Sequence, residues 1–341
     1  MIDEHIRVPS NGSQRFADIN APALDALLRN YGLAGSAVEH ISSSENGIFR
    51  LRPTAGPARI LRVHRVGYRT RETIKSELLW IEALRREAGL STPVPIESQQ
   101  GSVVSNVETS LGSAPCVLFE ELPGCEPPEQ ELPVWFRRLG TLCARIHSHS
   151  LSWSPPAGFV RPVLEWQALV GPRALWGKWS DAPGLNSSSA AILTRTLERL
   201  FERVEHYGMG PDRFGLIHGD LRLQNLLVHG NDVHVIDFDD CGTSWFLYDL
   251  ATATSLIEDL PSTPELVDNW VSGYVTHRPL SREHIEMIPH FIMLRRLQVL
   301  GWFGSRPEAQ LTREHAPTYV PATVVAATEF LSGRSRLQSS L

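Results

Sequence analysis

The pattern of apolar residues changes near residues 122–130, and this change constrains the fold more than any other feature of the sequence. Upstream, short β-type runs alternate with turn residues, as in an antiparallel meander. Downstream, apolar residues recur at helical spacing. The sequence therefore predicts an α+β fold, with a strand-rich first lobe and a helix-rich second lobe. The pattern is carried by predicted strands at 37–41, 47–52, 58–64 and 115–124, two strands within 92–108, and helices at 70–89 and 133–150.

Three segments follow from this pattern. Residues 1–34 hold a polar leader and a helix, residues 35–122 hold the sheet and its helix, and residues 123–341 hold the helical lobe. Within the last segment, the stretch 151–182 is irregular, because several tryptophans stand among prolines and glycines. They are Trp153, Trp166, Trp176 and Trp179.

Composition narrows the class of protein. The chain has 341 residues and 42% hydrophobic content, which supports a sizeable core. Its net charge of −6 argues against a nucleic-acid partner, because phosphate binding leaves a basic surface. The four scattered cysteines show no metal-ligand spacing, and no apolar run approaches the length of a membrane span. The N-terminus is polar and acidic, unlike a signal peptide. We therefore expect a soluble, cytoplasmic protein, whose oligomeric state the sequence leaves open.

Two apolar runs in the second lobe end in aspartate, and they suggest a reaction. "GLIHGD" ends at Asp220, "VHVIDF" contains Asp237, and Asn225 lies between them. Phosphoryl transfer uses a carboxylate that orients the attacking hydroxyl, together with oxygen ligands for Mg²⁺. A polar hairpin rich in Asp and Asn is the alternative interpretation, since both residues are common in turns. The HxDxxxxN spacing followed by Ile-Asp-Phe favours the kinase interpretation.

The segments "HGDLRLQN", "VIDFDD" and "GTSWFLYDLA" together resemble the aminoglycoside phosphotransferase/choline kinase-like superfamily, whose members are related to protein kinases. The resemblance covers about residues 21–301. "ILRVHR", "SELLWIEALR" and the "RPVLEW…LWGKW" segment are most similar to the homoserine kinase/stress-response kinase branch. The resemblance implies a bilobal protein-kinase-like fold, with a small antiparallel-sheet N-lobe that binds nucleotide and a larger, mainly helical C-lobe.

The resemblance also implies roles for single residues. Asp220 matches the catalytic base, and Asn225 and Asp237 match the Mg²⁺ ligands. His218 matches a histidine that braces the catalytic loop. Asp249, in Asp-Leu-Ala, matches an aspartate that supports this loop from the start of a helix.

The nucleotide phosphates need a cation, which kinases place on the third strand and pair with a glutamate on the next helix. Arg62 stands at this position and Glu77 is its expected partner. An arginine departs from the usual lysine, although it keeps the charge and can pair bidentately. The alternative is that Arg62 is a solvated strand residue. In that case the register assigned here would be wrong, and Arg59 or Arg65 would take the role.

Further nucleotide contacts are implied in two loops. The phosphate-covering loop would be "SSSENGIF", with Ser43 and Asn46 as its polar residues, and it lacks a GxGxxG pattern. "VLFEELPG" resembles the hinge between the lobes, where backbone groups from Glu120 to Leu122 would bind an adenine-like base.

Three charged residues near the motif have two interpretations each. Arg222 stands two residues after Asp220, where a transition-state role and a loop-bracing role are both open. Asp239 and Asp240 directly follow the metal-binding motif. They could contact a second metal or the acceptor, but capping and loop hydrogen bonds are the plainer explanation.

The resemblance implies an enzyme that uses Mg²⁺ and ATP, or GTP, to phosphorylate a hydroxyl of a small metabolite, an amino acid-like compound or a natural product. The alternatives are a protein Ser/Thr kinase of the stress-response type and a non-catalytic nucleotide-binding regulator. Six residues are candidates for the acceptor site, although core packing is the plainer role for aromatic residues at helical spacing. They are Trp166, Trp176, Trp179, Arg295, Arg296 and Trp302.

Overall fold

A computed structural model describes residues 19–43 and 46–334. The polar leader up to residue 18 lies outside the described residues, as do Ser44 and Glu45 in the predicted phosphate-covering loop. The strands are β1 (Ala37–Ser43), β2 (Asn46–Arg52), β3 (Arg59–His64), β4 (Pro95–Ile96), β5 (Ser105–Thr109), β6 (Gly112–Glu120), β7 (Phe214–Ile217), β8 (Leu226–His229), β9 (Asp232–Val235) and β10 (Gly242–Trp245).

The longest helices lie near the C-terminus, where two consecutive helices span 24 and 22 residues. Short 3-10 turns at 129–131, 179–181, 223–225 and 238–240 join several elements. The α-helices are α1 (Ala21–Asn30), α2 (Arg71–Ala88), α3 (Leu132–Ser152), α4 (Trp166–Leu169), α5 (Ser187–Tyr207), α6 (Phe246–Ala253), α7 (Thr263–Tyr274), α8 (Arg282–Ser305) and α9 (Gln310–Leu331).

The chain divides into two compact units, each built from separate stretches of sequence. Unit 1 holds the large sheet with α1, α2 and the β8–β9 hairpin, and unit 2 holds the other helices with β7 and β10. Among the described residues, unit 1 consists of 19–125, 155–160 and 227–239, and unit 2 consists of 126–154, 161–226 and 240–334.

The sheet of unit 1 is antiparallel, with the strand order β1-β2-β3-β6-β4 and with β5 also paired to β6. β3 lies inside the sheet, where Arg62 faces Ile48 of β2 and Val117 of β6. Side chains alternate across a strand, so Leu61 and Val63 enter the apolar core and Arg62 lies on the opposite face. The described helix α1 adds its leucines to the same core.

Helix α2 has clear start and stop signals. The Thr70 side chain accepts the Thr73 backbone N–H, which forms a capping box, and Gly89 ends the helix with a left-handed backbone at φ 60°. Between these ends, Ile74, Glu77 and Leu78 lie on the buried side. The helix therefore fixes Glu77 inside unit 1.

Unit 2 is mainly helical. Its core contains large buried side chains from several elements, including Trp245, Tyr248, Trp270 and Phe291. Helix α8 is buried on nearly all sides and carries two adjacent buried arginines, Arg295 and Arg296. A sheet-rich unit and a helix-rich unit confirm the expected α+β class. Within residues 19–43 and 46–334, no helix has both the length and the apolarity of a membrane span.

Candidate functional site

The predicted catalytic loop runs from His218 to Asn225 in unit 2. It follows β7, which pairs with β10 through Ile217 and Gly242, and it ends in a 3-10 turn at Leu223–Asn225. A strand on one side and a tight turn on the other restrict the backbone. The loop is therefore a fixed element that can hold side chains in defined positions.

Asp249, in the first turn of α6, holds the start of this loop. Its carboxylate accepts the backbone N–H of His218 at 3.1 Å and that of Gly219 at 2.8 Å. The His147 ring lies 3.0 Å from the same carboxylate and 2.9 Å from the Tyr274 hydroxyl. Burial lowers the pKa of His147 although Asp249 opposes this effect. The sequence did not indicate His147, because a histidine in a long amphipathic helix carries no signal of its partner.

Gly219 allows the loop to turn sharply. Its φ is +82°, and a Cβ at this position would overlap the carbonyl oxygen of Asp240. Glycine adopts this backbone conformation freely, whereas other residues are strained there. The His-Gly-Asp motif therefore needs glycine for both conformation and space.

Replacing Gly219 by alanine should lower the free energy of unfolding. The left-handed backbone alone costs about 1–2 kcal/mol, and the overlap with Asp240 adds to this loss. Gly35→Ala is the matched control, because Gly35 has a φ of +75° but open space around its Cβ. Urea unfolding of both variants separates the two effects, and equal losses would contradict the close contact with Asp240.

Asp220 lies among three polar partners. Arg295 Nη2 donates to its Oδ1 at 2.6 Å, while Arg222 Nε lies 3.4 Å and Asn225 Nδ2 lies 3.3 Å from its Oδ2. Its side chain is 17% exposed. Burial favours the neutral form, but Arg222 and Arg295 outweigh burial and lower the pKa of Asp220. At neutral pH the residue is a carboxylate that can accept a hydroxyl hydrogen bond.

Asn225 is oriented by its own amide nitrogen. Nδ2 donates to the Asp220 backbone oxygen at 2.7 Å. Because nitrogen makes this contact, the amide oxygen is the atom that Asn225 can offer to a cation. An amide oxygen is a hard donor of the kind that Mg²⁺ and Ca²⁺ prefer.

In unit 1, Arg62 and Glu77 form a buried bidentate pair. Nη1 and Nη2 of Arg62 donate to the two carboxylate oxygens of Glu77 at 2.8 and 2.7 Å. The guanidinium also lies 5.2 Å from the Phe119 ring centroid. Arg59, in contrast, donates to the adjacent Ala58 carbonyl. The structure therefore brings together the strand arginine and the helix glutamate that the sequence predicts as partners.

Asp237 lies in unit 1 with a left-handed backbone, at φ 61°. Non-glycine residues rarely adopt this conformation, and such strain is concentrated at functional sites. Burial alone would lower the pKa of Arg62, but Glu77, Asp239 and Asp237 outweigh it and raise this pKa. The Asp237 carboxylate thus acts on the same charged cluster as Arg62.

Asp239 and Asp240, which follow the Ile-Asp-Phe motif, lie in different units. Asp239 is buried in unit 1, where Arg69 donates to its backbone oxygen at 2.8 Å and to Oδ1 at 3.3 Å. Asp240 belongs to unit 2, where burial raises the pKa of Tyr248 and the charge of Asp240 adds to this effect. The link between Arg69 and Asp239 favours a structural role for Asp239. The sequence did not reveal Arg69, because 170 residues separate the partners.

The remaining nucleotide-site candidates also lie in unit 1. Ser43 contacts the His40 ring at 2.7 Å, and the buried Asn46 begins β2 opposite His64. The backbone N–H of Glu120 donates to Val94 at 2.9 Å. This bond occupies the Glu120 donor, so a base would need other groups of the segment up to Leu122.

Of the six acceptor-site candidates, the structure brings Arg295 to Asp220 and Trp176 to Arg295. Arg295 contacts Asp220 directly, and the Arg295 guanidinium lies 4.5 Å from the Trp176 ring centroid. In the sequence, Arg295 and Arg296 stand side by side in the apolar run "FIMLRRLQVL". They are candidates for a site because a buried charge needs a partner. The other four lie elsewhere in unit 2: Trp166 against Phe201, Trp179 in the turn 179–181, Arg296 on Asp259, and Trp302 beside Arg306.

Comparison with known proteins defines the class. The model of the phosphotransferase enzyme family matches residues 37–284, which is most of the chain. The chain therefore belongs to this family, and it is an enzyme of the kinase class. The predicted superfamily is confirmed.

Three relatives illustrate the range of the family. The structure of a microcompartment-associated aminopropanol kinase is 37% identical, has a TM-score of 0.86, and aligns over 93% of this chain and 100% of its own. The homoserine kinase of Chelativorans sp. (strain BNC1) is 27% identical over 80% of this chain and 82% of its own. The amicoumacin kinase of Bacillus subtilis (strain 168) is 22% identical, with coverages of 80% and 81%. The similarity to known kinase structures confirms the protein-kinase-like fold.

Proposed function

We propose that this enzyme transfers the γ-phosphoryl group of Mg²⁺-bound ATP to the hydroxyl of a small amino alcohol. The observation that carries the proposal is the 37% identity, over 93% of the chain, to an aminopropanol kinase. The homoserine and amicoumacin kinases are also named for small acceptors, which supports a metabolite rather than a protein as the acceptor.

Asp220 has the chemistry of the residue that orients the acceptor. Its carboxylate is ionised at neutral pH, and Asp249 holds the preceding backbone in place. In the proposed reaction, the acceptor oxygen bonds to the γ-phosphorus and the bond to ADP breaks, with its electron pair leaving on ADP. The hydroxyl proton passes to Asp220 and then to solvent. Positioning and charge stabilisation supply most of the catalysis in such reactions.

In this proposal, the groups of unit 1 bind the phosphates. Arg62 supplies a permanent positive charge, and the bidentate contact with Glu77 fixes the plane of its guanidinium. Ser43 and Asn46 would add polar contacts from the loop beside β2, and the segment from Glu120 to Leu122 would bind the base.

The metal ligands proposed are Asn225 and Asp237. The donors fit, because the Asn225 nitrogen is engaged and its oxygen is the offered atom, while Asp237 is a carboxylate on a strained backbone. No cluster of three or more His, Cys, Asp or Glu suited to a metal occurs in the part of the chain that the structure describes. Mg²⁺ needs only one or two carboxylates when phosphates complete its shell. When bound, it neutralises charge on the transferred phosphate.

Purified enzyme should phosphorylate an aminopropanol in the presence of Mg²⁺ and ATP. We would follow ADP release and identify the phosphorylated product by mass spectrometry, with homoserine and choline as further acceptors and GTP as the alternative donor. Mg-ATP should also raise the melting temperature, because a ligand that binds the native state stabilises it.

Two matched compounds serve as controls for the acceptor. Propane-1,2-diol keeps the hydroxyl but lacks the amine, and isopropylamine keeps the amine but lacks the hydroxyl. We expect a weaker reaction with the diol and no transfer to the amine. Equal rates with the diol would exclude amino alcohols as the preferred acceptors. The absence of any transfer or nucleotide-induced stabilisation would refute the proposed function.

A further inference from the structure

We propose that Arg295 is the positioning residue of the reaction: it fixes Asp220 so that one defined carboxylate oxygen faces the acceptor hydroxyl. The inference rests on the proposed function. Its basis is the 2.6 Å bond from Arg295 Nη2 to Asp220 Oδ1. This bond joins α8 to a catalytic loop 75 residues earlier in the chain.

Arg295 is itself held on all sides. Nε donates to Ser255 Oγ at 3.0 Å, and Nη1 donates to Gln298 Oε1 at 3.0 Å and to the Tyr248 hydroxyl at 3.5 Å. The side chain is only 3% exposed. These bonds and the one to Asp220 use four of the five N–H donors of Arg295, so it has no second donor left to grip an acceptor carboxylate as a fork. Its fixed geometry is directed at Asp220.

Trp176 covers the guanidinium and is fixed to the same helix. A Cβ on the next residue, Gly177, would lie 2.7 Å from the Gly301 oxygen and 2.6 Å from the Ser305 Cβ, so only glycine allows this close approach. The Trp176 carbonyl accepts hydrogen bonds from the Ser305 hydroxyl and from the side chain of Arg306. The tryptophan-rich segment therefore helps to hold Arg295 in its position.

The two oxygens of Asp220 differ as a result. Oδ1 is taken by the short bond to Arg295, whereas Oδ2 has longer contacts, at 3.4 Å to Arg222 and 3.3 Å to Asn225. Oδ2 is thus the oxygen that accepts the hydroxyl hydrogen bond and then its proton. Without Arg295 the carboxylate could rotate and exchange its oxygens, so fewer bound acceptors would be aligned with the phosphate.

The first test compares Arg295→Met and Arg295→Lys with the wild-type enzyme, using aminopropanol and Mg-ATP. Loss of alignment should lower kcat by about 100-fold in R295M. The KM for ATP should stay within about threefold of the wild-type value, because catalysis falls by loss of orientation and not of nucleotide binding. R295K keeps the positive charge, so its kcat should be at least about tenfold higher than that of R295M.

Arg213→Met is the matched control. Arg213 also pairs with an aspartate, Asp212, and also lies over an aromatic ring, that of Tyr207 at 4.4 Å. R213M should therefore lose similar contacts without lowering kcat per folded enzyme. A kcat for R295M within about threefold of wild type, or an equal loss in R213M, would overturn the assignment of Arg295.

A second test needs no substrate. Urea unfolding of R295M, Asp220→Ala and the double variant should show a non-additive effect on stability, whereas R213M and D220A should be additive. Additive effects for R295M and D220A would overturn the link between the two residues. If the wild-type enzyme phosphorylates no acceptor, the proposed function fails, and this cycle still decides whether Arg295 holds Asp220.

Discussion

Replacing Asp220 by asparagine should abolish phosphoryl transfer while leaving nucleotide binding largely intact. The variant keeps the shape of the side chain and can still accept the bond from Arg295, but it cannot take up the hydroxyl proton. Loss of a positioned general base lowers rates by about 10²–10⁴-fold. Steady-state kinetics with the acceptor, and the Mg-ATP-induced change in melting temperature, measure the two properties separately.

Asp212→Asn provides the matched control for this prediction. Asp212 lies in the same unit and pairs with an arginine, Arg213, but its side chain is 52% exposed. D212N should therefore keep the wild-type rate. A D220N variant that retains a tenth or more of the wild-type kcat would remove Asp220 from the role of base.

Replacing Arg62 by methionine should destabilise the protein and weaken Mg-ATP binding. The change leaves the Glu77 carboxylate, only 2% exposed, without its bidentate partner. Breaking a buried ion pair by removing one partner costs about 3–5 kcal/mol. Urea unfolding gives the stability loss, and calorimetric titration with Mg-ATP gives the affinity.

The double variant Arg62→Met, Glu77→Gln separates the two effects. The glutamine side chain carries no charge, so the double variant should recover part of the stability that the single variant loses. Nucleotide affinity should remain low, because the cation for the phosphates is still missing. Recovery of both properties would mean that Arg62 stabilises the fold without contacting nucleotide.

Local signals in the sequence predicted much of the fold. The strand predicted at 58–64 is observed as Arg59–His64, and the helix predicted at 70–89 is observed as Arg71–Ala88. Both are set by nearby residues: alternation places Arg62 on one face of β3, and Thr70 and Gly89 end the helix. The pair of Arg62 and Glu77 could be predicted for the same reason, since one partner lies on a strand and the other on the next helix.

Contacts between distant parts of the chain could not be predicted in this way. Arg295 was visible as a charge in an apolar helix, but nothing in the local sequence indicated that its partner was Asp220. Likewise, Asp239 had more than one interpretation in the sequence, and only the folded chain brings Arg69 to it. Such partners depend on the packing of whole elements, whereas periodicity and capping report only on neighbouring residues.

Unit 1 is built from three separate stretches of the chain, and this affects how it folds during synthesis on the ribosome. The backbones of Ser91 and Cys125 bond to those of Val235 and Val228, which are made more than a hundred residues later. The sheet can form early, but its hairpin partner and Asp237 emerge only after much of unit 2 has been translated. Domains that form at the N-terminus usually fold first, as they are synthesised. Here unit 1 is completed only late, so a chain truncated before residue 227 would lack the bonds that Ser91 and Cys125 make to the hairpin.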